Sequence, residues 1–272
     1  MSDIQSVIDF DSTLAGAVEA IARPHASMTP AGVPTSAKQS YVGGFPFMPI
    51  GAEWPLLDAS DPLVFVAQIN FATVPPMDGF PTEGMLQWFL EGEGGNAYGL
   101  YGPDLEDAAN GKHGLHVRWW TAADLTGDST SQPTDTVPYE IGEGGFAGPL
   151  LSANPVAVTF TPGLDLPSRN EVNEAENAAF EFLDDAYDQL CRADDDFFPA
   201  SGDKVGGYPR FEQGPTFPVA ALAPDVRVLI QLDSESKAFA MWGDLGVGQL
   251  MGDAFAVSRG DFSSVVWDWA CG

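Results

Sequence analysis

The sequence predicts a mainly β protein, α+β at most. Two related antiparallel β units form a roll-like single domain over residues 1–272. Three observations carry this. Gly and Pro are abundant, at 30 and 22 in 272 residues, which suits many short strands joined by turns. Apolar, β-rich runs of strand length recur, as at Phe65–Phe71, Met85–Leu90 and Val226–Leu232. A short motif also appears twice: Val42-Gly43-Gly44-Phe45-Pro46 and Val205-Gly206-Gly207-Tyr208-Pro209.

The repeat extends beyond those residues. Gln68 lies 24 residues after Gly44, and Gln231 lies 24 after Gly207. Each Gln sits inside an apolar run, as Ala-Gln-Ile-Asn and Ile-Gln-Leu-Asp. Gly84 and Gly246 then precede Met-Leu-Gln-Trp-Phe and Val-Gly-Gln-Leu-Met. The expectation is a pseudo-repeat over 41–103 and 204–257. Paired glycines allow φ > 0 or a close backbone approach, and the following Pro fixes the exit direction. A buried Gln must satisfy its amide, either on the neighbouring turn or on a ligand.

In chain order, Ser2 to Ile21 reads as an N-terminal helix ended by Pro24, with a weak capping box at Ser2-Asp3-Ile4-Gln5. Residues 24–40 read as an extended connection. Strands follow at Phe65–Phe71, Gly84–Leu90, Ala97–Gly102 and His116–Trp120. Residues 121–149 read as a long loop, with one strand at most. Asn154–Phe160 alternates as a strand. One long helix is expected near 169–192, opened by the capping box Ser168-Arg169-Asn170-Glu171 and striped by Val172, Ala175, Ala179, Phe182, Leu183, Ala186 and Leu190. Strands return at Val226–Leu232, Phe239–Trp242, Val247–Met251 and Ala254–Val257. Phe262–Trp269 fits either a strand or a short helix.

The charge excludes some functions. Eleven basic residues face 39 acidic ones, a formal net charge of −28. Such a field disfavours nucleic acid and anionic membranes as partners. It fits a surface adapted to habitat, or one that meets a basic protein partner. The early residues carry Asp3, Asp9 and Asp11 rather than a basic leader, and no apolar run reaches transmembrane length, so a cytoplasmic location is expected. Two cysteines, Cys191 and Cys271, make no disulfide framework.

Chemistry-bearing motifs are few. His113 and His116 supply two metal-ligand types without a third donor, so no metal is expected. Asp194-Asp195-Asp196 reads as a solvated exit loop. No nucleophile elbow, P-loop or dinucleotide fingerprint occurs, and neither a catalytic residue nor a cofactor is assigned. Trp54, Trp88, Trp119, Trp120 and Trp242 either fill the cores of the two units or line a cleft.

Residues Ser40–Pro46, Glu53-Trp54-Pro55, Pro62–Asn70 and Gly84–Phe89 resemble the YwqG-like family of bacterial proteins. So do Gly206–Pro209, Leu229–Asp233 and Trp242–Gly246. The resemblance implies a mainly β, roll-like fold with a few helices. It carries no established activity and no catalytic residues. The insert near 121–149 and the acidity depart from it. The functional expectation is a non-enzymatic binding or protein-interaction module. The alternative is an enzyme or small-ligand binder with its site between the two β units, built from Gln68, Gln231, Trp54, Lys38 and Asp233.

Overall fold

A computed structural model describes residues 22–57, 61–92, 114–127, 131–139, 150, 154–167, 199–213 and 226–271. The expected N-terminal helix, the strand at 97–102, the helix at 169–192, Cys191 and His113 lie outside the described residues.

Among the described residues ten strands form one antiparallel sheet: β1 (Arg23–Pro30), β2 (Tyr41–Val42), β3 (Val64–Asn70), β4 (Met85–Leu90), β5 (Leu115–Trp120), β6 (Val156–Asp165), β7 (Lys204–Gly206), β8 (Arg227–Asp233), β9 (Val247–Gly252) and β10 (Val266–Ala270). Their order is β10-β9-β8-β7-β1-β6-β2-β3-β4-β5. The strands β2 to β5 make one flank and β7 to β10 the other. The long β1–β6 ladder joins them, from Arg23 opposite Asp165 to Pro30 opposite Val158.

The central pair is exchanged between the flanks. β1 precedes β2 in the chain but pairs with β7, while β6 precedes β7 but pairs with β2. The hydrogen bonds match across the exchange: Met28 N donates to Asp203 O, and Val158 N donates to Ser40 O. Strands β3 and β8 also break register at corresponding places, between Phe65 and Ala67 and between Val228 and Ile230. Each bulge bends its strand and increases local twist.

That twist curls the sheet into a nearly closed, barrel-like layer around a shared core. Trp88 on β4 and Trp242 just before β9 belong to opposite flanks, yet their rings stack at 5.9 Å and 17°. Trp267 and Trp269 of β10 tilt against Trp242 at 6.4 and 6.3 Å. Gly248 makes room for this, since a Cβ there would run into the Trp242 ring. Trp88 and Trp242 are thus core residues, as is Phe65 of β3.

Three expectations are corrected. Residues 23–30 are not a connection after a helix end but a strand at the sheet centre. Only Ala26 and Met28 are buried on β1, so its weak apolar signal hides a strand held by remote partners. Ala254–Ser258 is the helix α1, not a strand. Asp253 Oδ1 accepts from Phe255 N and Ala256 N, an N-cap that outweighs the apolar run. Phe239–Trp242 forms no strand: only Ala240 bridges, to Leu150. The described part of 121–149 contains a 3-10 turn at Asp124–Thr126 and no strand. Phe262–Trp269 resolves as a turn followed by β10.

Candidate functional site

The glycine pairs turn the chain after β2 and β7. Gly43, Gly44, Gly206 and Gly207 have φ of 70°, 72°, 83° and 73°, a left-handed geometry that favours glycine. A side chain at Gly44 would strike Pro133 O, and one at Gly207 would strike the Asp165 carboxylate. The turns are therefore packed against protein on the side where a ligand would need access.

The two strand glutamines hold these turns in place. Gln68 Nε2 donates to Ala37 O (2.7 Å) and Gln39 O (2.8 Å), and its Oε1 accepts from Phe47 N (2.9 Å). Gln231 Nε2 donates to Ala200 O (2.8 Å) and Gly202 O (2.9 Å), and its Oε1 accepts from Arg210 N (3.2 Å). Both are fully buried. Gln87 and Gln249 complete the arrangement by donating to Phe47 O and Arg210 O, each at 2.8 Å. The repeated Gly-to-Gln spacing pointed to Gln68 and Gln231 and left open whether their amides met the turn or a ligand. These amides are spent on backbone.

The remaining candidates separate. Lys38 Nζ donates to Gly127 O at 2.9 Å and lies 6.0 Å from the Phe47 ring centre. Asp233 is buried, accepting from Gly202 N, Glu235 N and Arg210 Nη1. Of the five, Trp54 lines a cleft among the described residues.

That cavity is an open cleft of about 410 Å³ in the first flank, lined chiefly by Phe45, Met48, Ile50, Trp54, Ser131 and Asp135. Loop 45–54 forms one wall and segment 131–138 the other. Phe45 N donates to Pro133 O (2.9 Å) and Met48 N to Ser131 Oγ (3.1 Å), which fixes the walls together. Trp54 is anchored by Nε1 on Leu63 O (2.9 Å) and by edge contacts to Phe45 at 5.2 Å and Phe89 at 5.9 Å. Arg118 braces the wall through Glu53 O (3.0 Å) and Met48 Sδ (3.5 Å), and does not line the cleft. Asp135 Oδ2 accepts from Gln132 N at 2.7 Å. Burial, aided by the Asp135 charge, raises the Tyr41 hydroxyl above its ordinary pKa, so it stays a neutral donor to Phe45 O (2.6 Å). Ile50, on the rim, is 73% exposed.

The corresponding part of the second flank is filled by charge. Lys204 faces Gln231 in register, as Tyr41 faces Gln68. Its buried Nζ donates to Asp165 Oδ2 and Ala200 O, both at 2.6 Å. Asp165 also accepts from Leu166, Ala200 and Tyr208 N–H groups. Arg210 binds Asp233, Glu235 and Glu212. Burial pushes Asp203 up to about 7, with the Asp233 charge adding and hydrogen bonds from Ser236 and Asp233 N opposing. This is a stabilising network rather than an open site.

Among the described residues the other titratable groups do not converge on a reaction centre. Burial, with Arg118 nearby, lowers His116 to about 4. His25 Nε2 and Ser27 Oγ lie 2.9 Å apart, but as next-but-one neighbours on one strand. Among the described residues no group of three metal-ligand types is assembled, and no helix is long and apolar enough to cross a membrane.

A family model described as a domain of unknown function, DUF1963, matches residues 40–271. The chain belongs to that family. The DUF1963 match spans both flanks and the cleft, and leaves out the central strand β1. No curated protein matches the chain.

Proposed function

We propose that this DUF1963 protein is a YwqG-like, bacterial, cytoplasmic binding module without enzymatic activity, and that it engages a basic protein partner. The cleft beside Trp54 is its contact site. One observation carries this reading: an open cleft with an aromatic and apolar lining has Asp135 as its charged lining residue, in a chain of net charge −28. Concave, mostly apolar surfaces with a few placed polar groups are where binding sites concentrate. The same charge argues against nucleic acid and anionic membranes.

This reading moves the contact site from between the β units to the first unit alone. The two units are taken as copies of one ancestral unit that exchanged their first strands, which their matched glutamine bonds and bulges support. In that view the second copy has filled its equivalent ground with the Lys204 and Arg210 networks.

A photo-crosslinking residue replacing Ile50 tests the function in native lysate, with one replacing Val33 as an exposed control. The expected result is a crosslink to a basic protein at position 50 alone, lost at high salt. Equal labelling at both positions, or turnover of a small molecule by the purified protein, would overturn it.

A further inference from the structure

The cleft also shows what kind of group it takes. Resting on the binding reading above, we infer that it receives a single arginine or lysine side chain, presented by an extended segment of the partner with an apolar neighbour. Four features of the cleft point this way.

First, the aromatic floor is preset. Trp54 is held by its Nε1 bond to Leu63 O and by T-shaped ring contacts with Phe45 and Phe89. A rigid aromatic face attracts a cation through the ring quadrupole, and Trp does so best. Second, the acid is placed but unspent. Asp135 is exposed, and Oδ2 is taken by Gln132 N while Oδ1 has no protein partner among the described residues. A carboxylate beside an aromatic face can pair with a guanidinium while the ring supports its flat side. Third, the rim is apolar: Ile50 is exposed with Pro49 beside it, which suits an aliphatic side chain next to the cation. Fourth, the long-range field agrees. A net charge of −28 steers cations towards the surface, and Arg118 is already bound to Glu53 O.

The second flank sharpens the argument. There Arg210, a residue of this chain, lies among Asp233, Glu235 and Glu212 close to the matching Gly-Gly turn. That flank carries its own arginine among carboxylates. The first flank has Phe47 at the corresponding position and leaves Asp135 open.

The test uses the full chain, isotope-labelled for chemical-shift titration. The probes are the blocked peptide Ala-Pro-Arg-Ile-Ala and its twin with citrulline for arginine, equal in shape but neutral. The arginine peptide is expected to bind at least about tenfold tighter at low salt, shifting the Trp54 indole and the Ile50 methyls. Asp135→Asn, an exposed change, is expected to reduce that preference severalfold, with Trp54 and the field keeping the remainder. Equal binding of the twins would overturn the cation inference, and a preference undiminished in Asp135→Asn would overturn its placement beside Asp135. If Ile50→Ser then still weakens both peptides, the cleft remains a binding site and only the ligand class falls. If neither variant alters binding, the functional reading falls with it. Binding of N-acetyl-argininamide as tight as that of the peptide would overturn the protein segment in favour of a free guanidinium compound.

Discussion

Trp88 and Trp242 stack face to face across the core, 5.9 Å apart, although one belongs to the second strand from one end of the sheet and the other leads into the second strand from the opposite end. The contact is made in the space that Gly248 leaves, where a Cβ would meet the Trp242 ring. Gly248→Ala is expected to destabilise the fold by about 1–3 kcal/mol, the usual cost of overpacking a core. Urea unfolding checks it. An unchanged midpoint would show that the Trp242 ring has room to move.

Gln68 holds three backbone groups, Phe47 N, Ala37 O and Gln39 O. Gln68→Leu leaves Phe47 N, Ala37 O and Gln39 O to find other partners in a buried setting. A loss of about 2–4 kcal/mol is expected, because each unmet buried group costs about 1–3 kcal/mol and some will relax. Gln231→Leu should cost less, since Arg210 N keeps Gln249 Oε1 and Ala200 O keeps Lys204 Nζ. Losses in that order by chemical denaturation would support the matched roles, and a neutral effect at Gln68 would contradict them.

Lys204 and Asp165 form a buried pair in which the acid has three further backbone donors. Lys204→Met removes one partner only. It should cost about 3–5 kcal/mol, the range for breaking a buried pair and stranding its mate. Thermal unfolding of the variant at neutral pH measures this. A gain in stability would mean that the backbone donors alone satisfy Asp165.

Asp203 gives a pH dependence of defined sign. Its folded pKa, about 7, lies above the ordinary carboxyl value, so the folded state keeps a proton that the unfolded state releases. Stability from this group is present below about pH 4 and is lost as pH rises through about 7. His116 acts oppositely: lowered to about 4, it costs stability as pH falls below its ordinary value of 6.5. The difference between wild type and Asp203→Asn isolates the first effect. The variant is expected to lose less stability between pH 5 and pH 8, read from denaturation midpoints. Parallel pH profiles would rule the assignment out.

Much of the β architecture was legible because its signals are local. Left-handed turns select glycine, buried strands select Val, Ile, Leu and Phe, and a buried amide must be paired. Gly43-Gly44, Gly206-Gly207, Gln68 and Gln231 reported those needs directly. Strand β1 was not legible. Its Pro, Ser, His and Thr residues carry little apolar pattern, and its place depends on ladders to β6 and β7, more than a hundred residues away in sequence. Helix α1 was missed because a four-residue apolar run fits either structure, and the Asp253 cap decided it.

For the candidate site the division is similar. The sequence by itself determined the mainly β class, the repeated turn and its glutamine, and the acidic field. Tertiary structure alone decided that Gln68, Gln231 and Asp233 bind backbone and Arg210, while Trp54 faces a cleft. It also brought Asp135 beside Phe45, through the bond from Phe45 N to Pro133 O. The reason is physical. Composition and spacing record what each residue requires of its surroundings, whereas a cleft exists only where two distant segments meet and leave space between them.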